Sequence, residues 1–430
     1  MNIEKFVNEE LGEEMQFVRC ESGLKVYVFP KKGFNKYYAI YGTEYGSIDK
    51  TFKIPGEEEM TTVPDGIAHY LEHKMFEDEN GGNAFDKFAE TGASSNAFTS
   101  FDITAYLFSC TDKFYENLDI LLDFVNKPYF TEENVKKEQG IIGQEIKMYD
   151  DEPEWRVFFN TISAMFHENP VKTDIAGTVE SIAKITPEYL YKCYNTFYNP
   201  ANMMLVLVGD IDVEKVMEYV DKHISAERNL GEIERLKVDE PTERVKEFAE
   251  EELDVSIPIF RIGFKDNRPG MTGDELLKKE LETEIILEAV LGSSTDLYLD
   301  MYEKGLINQS FGFETEFEHE YGYSLIGGEA DKPNEIYEII KAAFKKHSVY
   351  GIDNEPIDRA KKVLIADNIR LFNSVDKMGN VFIKQLMNKQ NPLEFRKVVE
   401  SITYEDIHKR LVEHFDIDNC VLSVVKPIQR

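Results

Sequence analysis

The chain has 430 residues, of which 81 are acidic and 49 are basic, so its formal net charge is −32. This excess of acid argues against nonspecific binding to nucleic acid or to anionic membranes, because both need clusters of Lys and Arg. Domains commonly contain about 100–200 residues, so the length predicts more than one domain. Hydrophobic residues make up 42% of the chain, which is enough for sizeable cores and disfavours disorder.

The first half of the chain mixes short strands with amphipathic helices. Residues 24–29 alternate between apolar and polar side chains, as a half-buried strand does, and residues 97–110 continue this pattern over a greater length. Amphipathic helices are predicted at 112–125, 132–149 and 187–198. Adjacent strands followed by helices favour an α+β fold with antiparallel-rich sheets over a doubly wound parallel sheet.

Two segments of the chain match each other at a constant offset. The tetrapeptide Ile-Thr-Pro-Glu at 185–188 aligns with Ile-Thr-Tyr-Glu at 402–405, and in both places a helical segment, an aromatic break and an apolar strand follow. This match predicts two homologous domains, 1–225 and 244–430, joined by a charged linker at 226–243. The alternative is that Ile-Thr-x-Glu is only a common helix start, with Thr as the N-cap.

His69, Glu72 and His73 form the motif H-x-x-E-H. No Gly or Pro interrupts residues 67–76, which predicts a helix, and residues four apart on a helix share a face, so the two imidazoles can bind one metal ion. The Glu72 carboxylate lies beside them, where it can face a metal-bound water. Two His ligands and a non-ligand Glu are typical of zinc peptidases. The alternative is two surface histidines beside a glutamate on a solvated helix.

A zinc site with two His ligands needs a third protein ligand and an open position for water. The predicted helix at 132–149 offers Glu138 and Glu145, two turns apart on one face, with Ile141 and Ile142 between them. A buried charge is costly unless it has a partner, so a bound metal would explain carboxylates in an apolar row. A helix edge with its glutamates in water is the alternative, and spacing alone does not choose between Glu138 and Glu145 as the ligand.

Four segments resemble the pitrilysin, insulin-degrading and mitochondrial processing peptidase family of zinc peptidases. Residues 65–76 resemble the family's active-site helix, 92–100 its substrate-binding edge strand, and 138–146 its distal glutamate helix. The fourth segment, 199–210, resembles the strand that ends each domain of the family. The segments occur in the expected order within the first 210 residues.

The resemblance implies a fold of two homologous α+β domains, each with an antiparallel-rich sheet covered by helices, which together form half of a clamshell. It also implies roles for individual residues. Zn²⁺ would be bound by His69, His73 and Glu145. Glu72 would act as the general base, and Glu138 would support the site. The substrate-binding strand would contain Asn96, Ala97, Phe98 and Thr99.

The second half of the chain lacks these ligands. At the offset of the repeat, Ile286, Ala289 and Val290 stand opposite the motif, so one zinc site per chain is expected. Many active relatives carry an Arg and a Tyr around a Gly-Leu turn, and here the matching positions are Met301 and Asn308. The resemblance therefore implies a dimer in which a zinc-less paralogue supplies the missing pair, with a homodimer as the alternative.

The expected activity is that of a zinc-dependent endopeptidase, which cleaves extended peptides or presequence-like segments inside an enclosed chamber formed by a dimer. A non-catalytic scaffold subunit of a peptidase-like heterodimer is the alternative. The acid excess favours basic peptides as substrates. The four cysteines are scattered and no secretory signal is expected, which together predict a cytoplasmic protein. The longest apolar run, 203–208, has only six residues, so no membrane span is expected. The excess of acid predicts that there is no nucleic-acid partner.

Overall fold

The structure is a computed structural model that describes residues 2–225, 231 and 233–428, so the predicted linker at 226–243 lies partly outside the described residues. The chain divides into two compact units, and each takes segments from both halves of the sequence. The first comprises Met1–Ile146, Thr173–Lys237 and Ile369–Met387, and the second comprises Lys147–Lys172, Val238–Asn368 and Asn388–Arg430. The sequential boundaries 1–225 and 244–430 stay a prediction.

The described residues form strands and helices in runs of varying length. The described residues form the strands β1 (Glu4–Asn8), β2 (Glu13–Arg19), β3 (Lys25–Pro30), β4 (Tyr37–Thr43), β5 (Thr51–Lys53), β6 (Met60–Thr62), β7 (Ser94–Thr99), β8 (Thr104–Cys110), β9 (Met203–Gly209), β10 (Glu234–Arg235), β11 (Phe248–Leu253), β12 (Ile259–Lys265), β13 (Gly312–Phe317), β14 (Gly322–Glu329) and β15 (Val421–Pro427).

The helices vary greatly in length. They are α1 (Ile67–Lys74), α2 (Ala84–Thr91), α3 (Phe114–Val125), α4 (Glu132–Asp150), α5 (Pro153–Met165), α6 (Val179–Ile182), α7 (Pro187–Phe197), α8 (Val213–His223), α9 (Gly273–Leu291), α10 (Asp296–Glu303), α11 (Pro333–Tyr350), α12 (Asn354–Leu371), α13 (Val375–Met387), α14 (Phe395–Ser401) and α15 (Tyr404–His414). Within the described residues, none of these helices has both the length and the apolar composition needed to span a bilayer.

The two units contain the same sheet. In the first unit the strand order is β1-β2-β3-β9-β4-β8-β7, and in the second it is β11-β15-β12-β14-β13. The last five strands of the first sheet therefore correspond one by one to those of the second. Among the described strands of these two sheets, β3 pairs with β9 and β11 with β15 in parallel, and the other neighbours are antiparallel. The predicted fold class, two homologous α+β domains with antiparallel-rich sheets, is confirmed.

The helix starts that revealed the repeat are capped alike. The side chain of Thr186 accepts a hydrogen bond from Tyr189 N at the start of α7, and that of Thr403 accepts one from Asp406 N at the start of α15. A hydroxyl at this position satisfies one of the backbone amides that the first helical turn leaves unpaired. The matching tetrapeptides are thus equivalent elements in the two units.

The prediction of one long strand over 97–110 is wrong, because the chain turns back between β7 and β8. The Ser100 hydroxyl accepts a hydrogen bond from Ile103 N at 3.2 Å and donates one to Asp102 Oδ1 at 2.8 Å. Side chains of this kind offer the backbone a turn in place of a continued strand. The resulting hairpin makes β7 an edge strand of the sheet.

Each of these two sheets packs against a helix from the other half of the sequence. In the first unit α13 lies on β4 and β9, and in the second unit α5 lies on β11, β12 and β15. A glycine allows the close approach in both sheets. A Cβ on Gly42 would lie 2.8 Å from Ile383 Cδ1 of α13, and a Cβ on Gly263 would lie 2.7 Å from Met165 Sδ of α5. Ile369–Met387 and Lys147–Lys172 are therefore exchanged segments.

The second unit encloses a cluster of polar side chains. Asp266 accepts hydrogen bonds from Lys279 and from Arg410, and Ser324 Oγ lies 2.8 Å from His414 Nε2. Although Ser324, His414 and Asp266 are of the types found in hydrolase triads, the Ser324 hydroxyl has no access to a substrate, because the residue is 0% exposed. The cluster is therefore part of the core.

Acid should destabilise the second unit through His414. Burial, together with the charges of Arg410 and Lys279, holds the pKa of His414 well below its usual value. Below about pH 6.5 the unfolded chain takes up a proton on this residue that the folded chain does not, so the free energy of unfolding falls by up to about 1.4 kcal/mol per pH unit. The test is the midpoint temperature of thermal unfolding, measured for wild type and for His414→Gln between pH 7.5 and 5.5. The midpoint of wild type should fall more steeply as the pH is lowered, and equal slopes for the two proteins would contradict the prediction.

Candidate metal centre

The helix that carries the motif is anchored by a glycine before its first turn and by buried apolar residues along its length. Gly66, at φ 88°, precedes α1, and a Cβ at this position would collide with the carbonyl of Ala176. Ile67 and Leu71 of α1 are buried in the core of the first unit. The helix therefore begins where only Gly fits and is held by its apolar residues.

The structure brings both histidines and one glutamate of α4 together. The rings of His69 and His73 lie 4.6 Å apart between centroids. His69 Nε2 is 3.8 Å from Glu145 Oε1, and His73 Nε2 is 3.5 Å from Glu145 Oε2. One ligand atom from each residue lies within 4.8 Å of the others, and within the described part of the chain only these three residues form such a group.

These three side chains fit a zinc ion. Tetrahedral zinc with ligand bonds of about 2.0–2.2 Å holds neighbouring ligand atoms roughly 3.3–3.6 Å apart, close to the 3.8 and 3.5 Å between the two His Nε2 atoms and Glu145. Two imidazoles and a carboxylate are a usual ligand set for zinc. In addition, burial together with the neighbouring His73 lowers the pKa of His69 to about 4. His69 is therefore a neutral imidazole, the form that binds metals.

Glu138 contacts the ring nitrogen of His73 that does not face Glu145. Its Oε1 is 3.1 Å from His73 Nδ1, and because a carboxylate only accepts, Nδ1 carries the proton and Nε2 stays available toward Glu145. Burial would raise the pKa of Glu138, but the hydrogen bond with His73 and the charges of His73 and Lys74 outweigh it and lower the pKa. Burial would lower the pKa of His73, but the hydrogen bond with Glu138 and the charges of the nearby carboxylates outweigh it and raise the pKa.

Glu72 lies next to these ligands and is bonded to the neighbouring sheet. Thr99 Oγ1 of β7 donates a hydrogen bond to Glu72 Oε2 at 2.6 Å. Burial raises the pKa of Glu72, and the Thr99 hydrogen bond opposes part of that rise. A carboxylate with a raised pKa is a stronger base than one in water.

The predicted substrate-binding residues lie along β7, which pairs only with β8 among the described strands. One side of β7 is therefore open to another extended chain. Asn96 Oδ1 accepts a hydrogen bond from Ala97 N at 2.9 Å, while Phe98 and Thr99 are half-buried. The strand thus extends from solvent toward Glu72.

Two features of the site were not predicted from the sequence. The hydroxyl of Thr99, a residue predicted to bind substrate, also donates a hydrogen bond to the Glu72 carboxylate. Lys74 was assigned no role, yet it is fully buried between Glu77 and Glu138. No local pattern signals the contact of Thr99 with Glu72 or that of Lys74 with Glu138, because each joins residues that are brought together only by the packing of α1 against β7 or α4.

The equivalent face of the second unit is apolar. Ile286, Ala289 and Val290 lie on α9 and are buried in the hydrophobic core. Met301 of α10 is also completely buried, and the Asn308 side chain accepts hydrogen bonds from Ser310. Neither residue presents the chemistry of the Arg and Tyr that the resemblance associates with these positions.

The chain matches two family models in sequence order. A model described as insulinase (peptidase family M16) matches residues 59–179, and one described as peptidase M16 inactive domain matches residues 184–364. A Bacillus subtilis protein named uncharacterized zinc protease YmfH is 42% identical over 421 residues, which cover 97% of this chain and 98% of YmfH. The chain belongs to peptidase family M16. The family resemblance drawn from the motifs is thus confirmed.

Solved M16 structures share the fold. An M16-like peptidase from Alicyclobacillus acidocaldarius superposes with a TM-score of 0.92 at 35% identity, and the match covers 97% of this M16 chain and 99% of that one. A protease from Helicobacter pylori gives a TM-score of 0.80 at 20% identity over 96% of this chain and 100% of that one. Pitrilysin gives 0.76 at 15% identity, and the match covers 97% of this chain but only 45% of pitrilysin.

Proposed function

We propose that this M16 chain is a zinc endopeptidase that cleaves extended peptides. The observation that carries the proposal is the convergence of His69, His73 and Glu145, with the buried Glu72 carboxylate beside them. The similarity to YmfH over nearly the whole of both chains, together with that protein's description as a zinc protease, supports it.

The roles follow from the geometry. His69, His73 and Glu145 would bind zinc, which as a Lewis acid lowers the pKa of a bound water and polarises a carbonyl. Glu72 takes a proton from the attacking water and later gives it to the leaving amine. Its burial favours proton uptake, and the Thr99 hydrogen bond fixes one of its oxygens. The other oxygen stays free for the reacting water.

The open edge of β7 is the proposed binding surface for the substrate. An extended peptide that pairs with this edge forms main-chain hydrogen bonds whatever its sequence. It would pass Asn96, Ala97 and Phe98 and reach Thr99, whose hydroxyl contacts the catalytic glutamate. Folded proteins would be excluded because they offer no free strand.

The net charge of −32 favours basic peptides as substrates. Equal cleavage of matched acidic and basic peptides would contradict this preference.

The proposed assembly is a dimer with a zinc-less paralogue, and a homodimer is the alternative. The chain covers 45% of pitrilysin, and at the positions of the expected Arg and Tyr it has the buried Met301 and the internally bonded Asn308. A second subunit would supply both the missing length and the missing pair. Isolation from the native source as two copies of this chain alone would contradict the heterodimer.

Zinc content and hydrolysis by the purified chain test the proposed function. We expect one zinc per chain, its loss in His69→Ala, and cleavage of quenched fluorogenic peptides either by the chain alone or after addition of a paralogue. A wild-type chain that binds no zinc would overturn the peptidase and favour a scaffold subunit. Zinc without activity in either condition would also contradict the proposal.

Removing the Thr99 hydroxyl should slow the reaction. A hydrogen bond to a charged group contributes about 1.5–3 kcal/mol, so Thr99→Val should lower kcat/KM about 10-fold or more, with zinc content unchanged. Thr99→Ser keeps the donor to Glu72 Oε2 and should stay near wild type. Equal rates for the Val and Ser variants would show that this hydrogen bond does not position the base.

A further inference from the structure

Lys74 has an unusual place for a lysine. It follows His73 directly in α1, and its side chain is 0% exposed. Its ammonium Nζ lies 2.6 Å from Glu77 Oε2 and 4.0 Å from Glu138 Oε2. A lysine is rarely buried completely, because its charge loses the hydration that it has in water.

The buried ammonium continues a row of charges that begins at the metal centre. Glu145 Oε2 faces His73 Nε2 at 3.5 Å, and His73 Nδ1 faces Glu138 Oε1 at 3.1 Å. The second oxygen of Glu138 then faces Lys74, which faces Glu77. Each carboxylate oxygen of Glu138 therefore faces a group on α1: Oε1 faces His73 and Oε2 faces Lys74.

We propose that Lys74 is a positioning residue for the metal centre, which fixes the Glu138 carboxylate so that its other oxygen holds the His73 imidazole with Nε2 toward the metal. The inference rests on the proposed zinc function and assigns a role to a residue outside the motif. Metal-ligating histidines need a partner that fixes the ring and the tautomer. Here that partner is itself fixed, because Glu138 is buried and its Oε2 would lose its ion pair if Lys74 were absent.

Simple electrostatics predicts the opposite effect on metal binding. Removing a positive charge near a divalent cation reduces repulsion and should tighten binding. Removing a positioning residue should weaken binding, because His73 is no longer held. Partners behind the ligands typically contribute about 10–100-fold in metal affinity, so the two explanations differ in the sign of the change.

Zinc affinity of four variants, measured by chelator competition, provides the test. Lys74→Met keeps the length of the side chain in a buried site, and we expect zinc to bind about 10-fold more weakly. Lys137→Met is the matched control, because Lys137 lies 3.6 Å from the opposite oxygen of Glu77 and is 69% exposed. Its charge also acts on Glu138 from a distance, but its ammonium forms an ion pair with Glu77 and not with the Glu138 carboxylate. The variant therefore removes the same charge without removing a contact of Glu138, and its affinity should stay close to that of wild type.

The remaining two variants show whether Lys74 acts through Glu138. Glu138→Gln alone and the double variant Lys74→Met/Glu138→Gln should bind zinc equally well, because the second change removes nothing further once the carboxylate is gone. Additive losses would overturn the proposal. If Lys74→Met does not fold, Lys74→Gln, which keeps a donor but not the charge, replaces it with the same expectations.

The tautomer of His73 gives a second readout that needs no metal and no activity. In the metal-free protein labelled with ¹⁵N-histidine, the His73 signal should show a proton on Nδ1 in wild type and in Lys137→Met. In Lys74→Met this preference should weaken. Unchanged signals together with unchanged or tighter zinc binding would overturn the role of Lys74. A wild-type chain that binds no zinc would instead overturn the proposed function, so the two failures are distinguishable.

Discussion

Glu72→Gln is expected to lower kcat/KM for peptide hydrolysis by about 10²–10⁴-fold, the range that a positioned general base contributes. Glutamine accepts the Thr99 hydrogen bond and fills the same space, but it cannot take a proton from water. The ligands His69, His73 and Glu145 are unchanged, so the zinc content should stay that of wild type. The measurement is the initial rate on a quenched fluorogenic peptide library, with zinc determined on the same samples.

The control for this result is the same substitution on the surface. Glu133→Gln in the first turn of α4 removes one negative charge from an exposed position, and its rate should equal that of wild type. A Glu72→Gln variant with zinc bound and wild-type activity would show that another group takes the proton. A variant that lost zinc as well would show that Glu72 helps to hold the metal.

Separating the two halves of the sequence should abolish folding of each. A chain of residues 1–237 lacks α13, whose buried side chains Val375, Met378, Phe382, Ile383 and Leu386 lie within the first unit. Burial of one such side chain contributes about 1.5–3 kcal/mol, so the loss is comparable with the entire stability of a domain, about 5–15 kcal/mol. Residues 238–430 lack α5, which packs on their sheet through Val157. Each fragment should be insoluble or lack a cooperative thermal transition.

Co-expression of the same two fragments is the matched control. Together they contain all the exchanged segments, so we expect a soluble complex that unfolds cooperatively. A soluble, cooperatively folded fragment 1–237 on its own would contradict the importance of α13. A soluble fragment 238–430 would do the same for α5.

The local elements and the family could be predicted because their signals lie close together in the sequence. Helices α3, α4 and α7 begin within about two residues of the predicted positions, since their apolar periodicity and caps are local. The motif residues lie four apart, so one helical turn brings them together whatever the rest of the fold does. The repeat was visible because two helix–strand units kept the same spacing.

What could not be predicted depends on contacts between distant residues. Residues 97–110 alternate like one strand, and this alternation does not signal the turn, which Ser100 makes through both its side chain and its backbone. The charge of Lys74 indicates a surface position, while the fold buries it against Glu138, which lies 64 residues away in the sequence. The exchange of α5 and α13 left no trace in composition or periodicity, because an exchanged helix and one that stays with its own half present the same apolar face.

The exchange of α5 and α13 also bears on how such a chain could have arisen. If one repeat preceded two, a single copy would have left its sheet uncovered. Two copies would have covered each other's sheets by exchanging a helix. The present chain is then a domain-swapped homodimer that became one polypeptide. Fusion removes the requirement that both copies be identical, so one copy could replace its metal-binding residues by Ile286, Ala289 and Val290 while the other kept them.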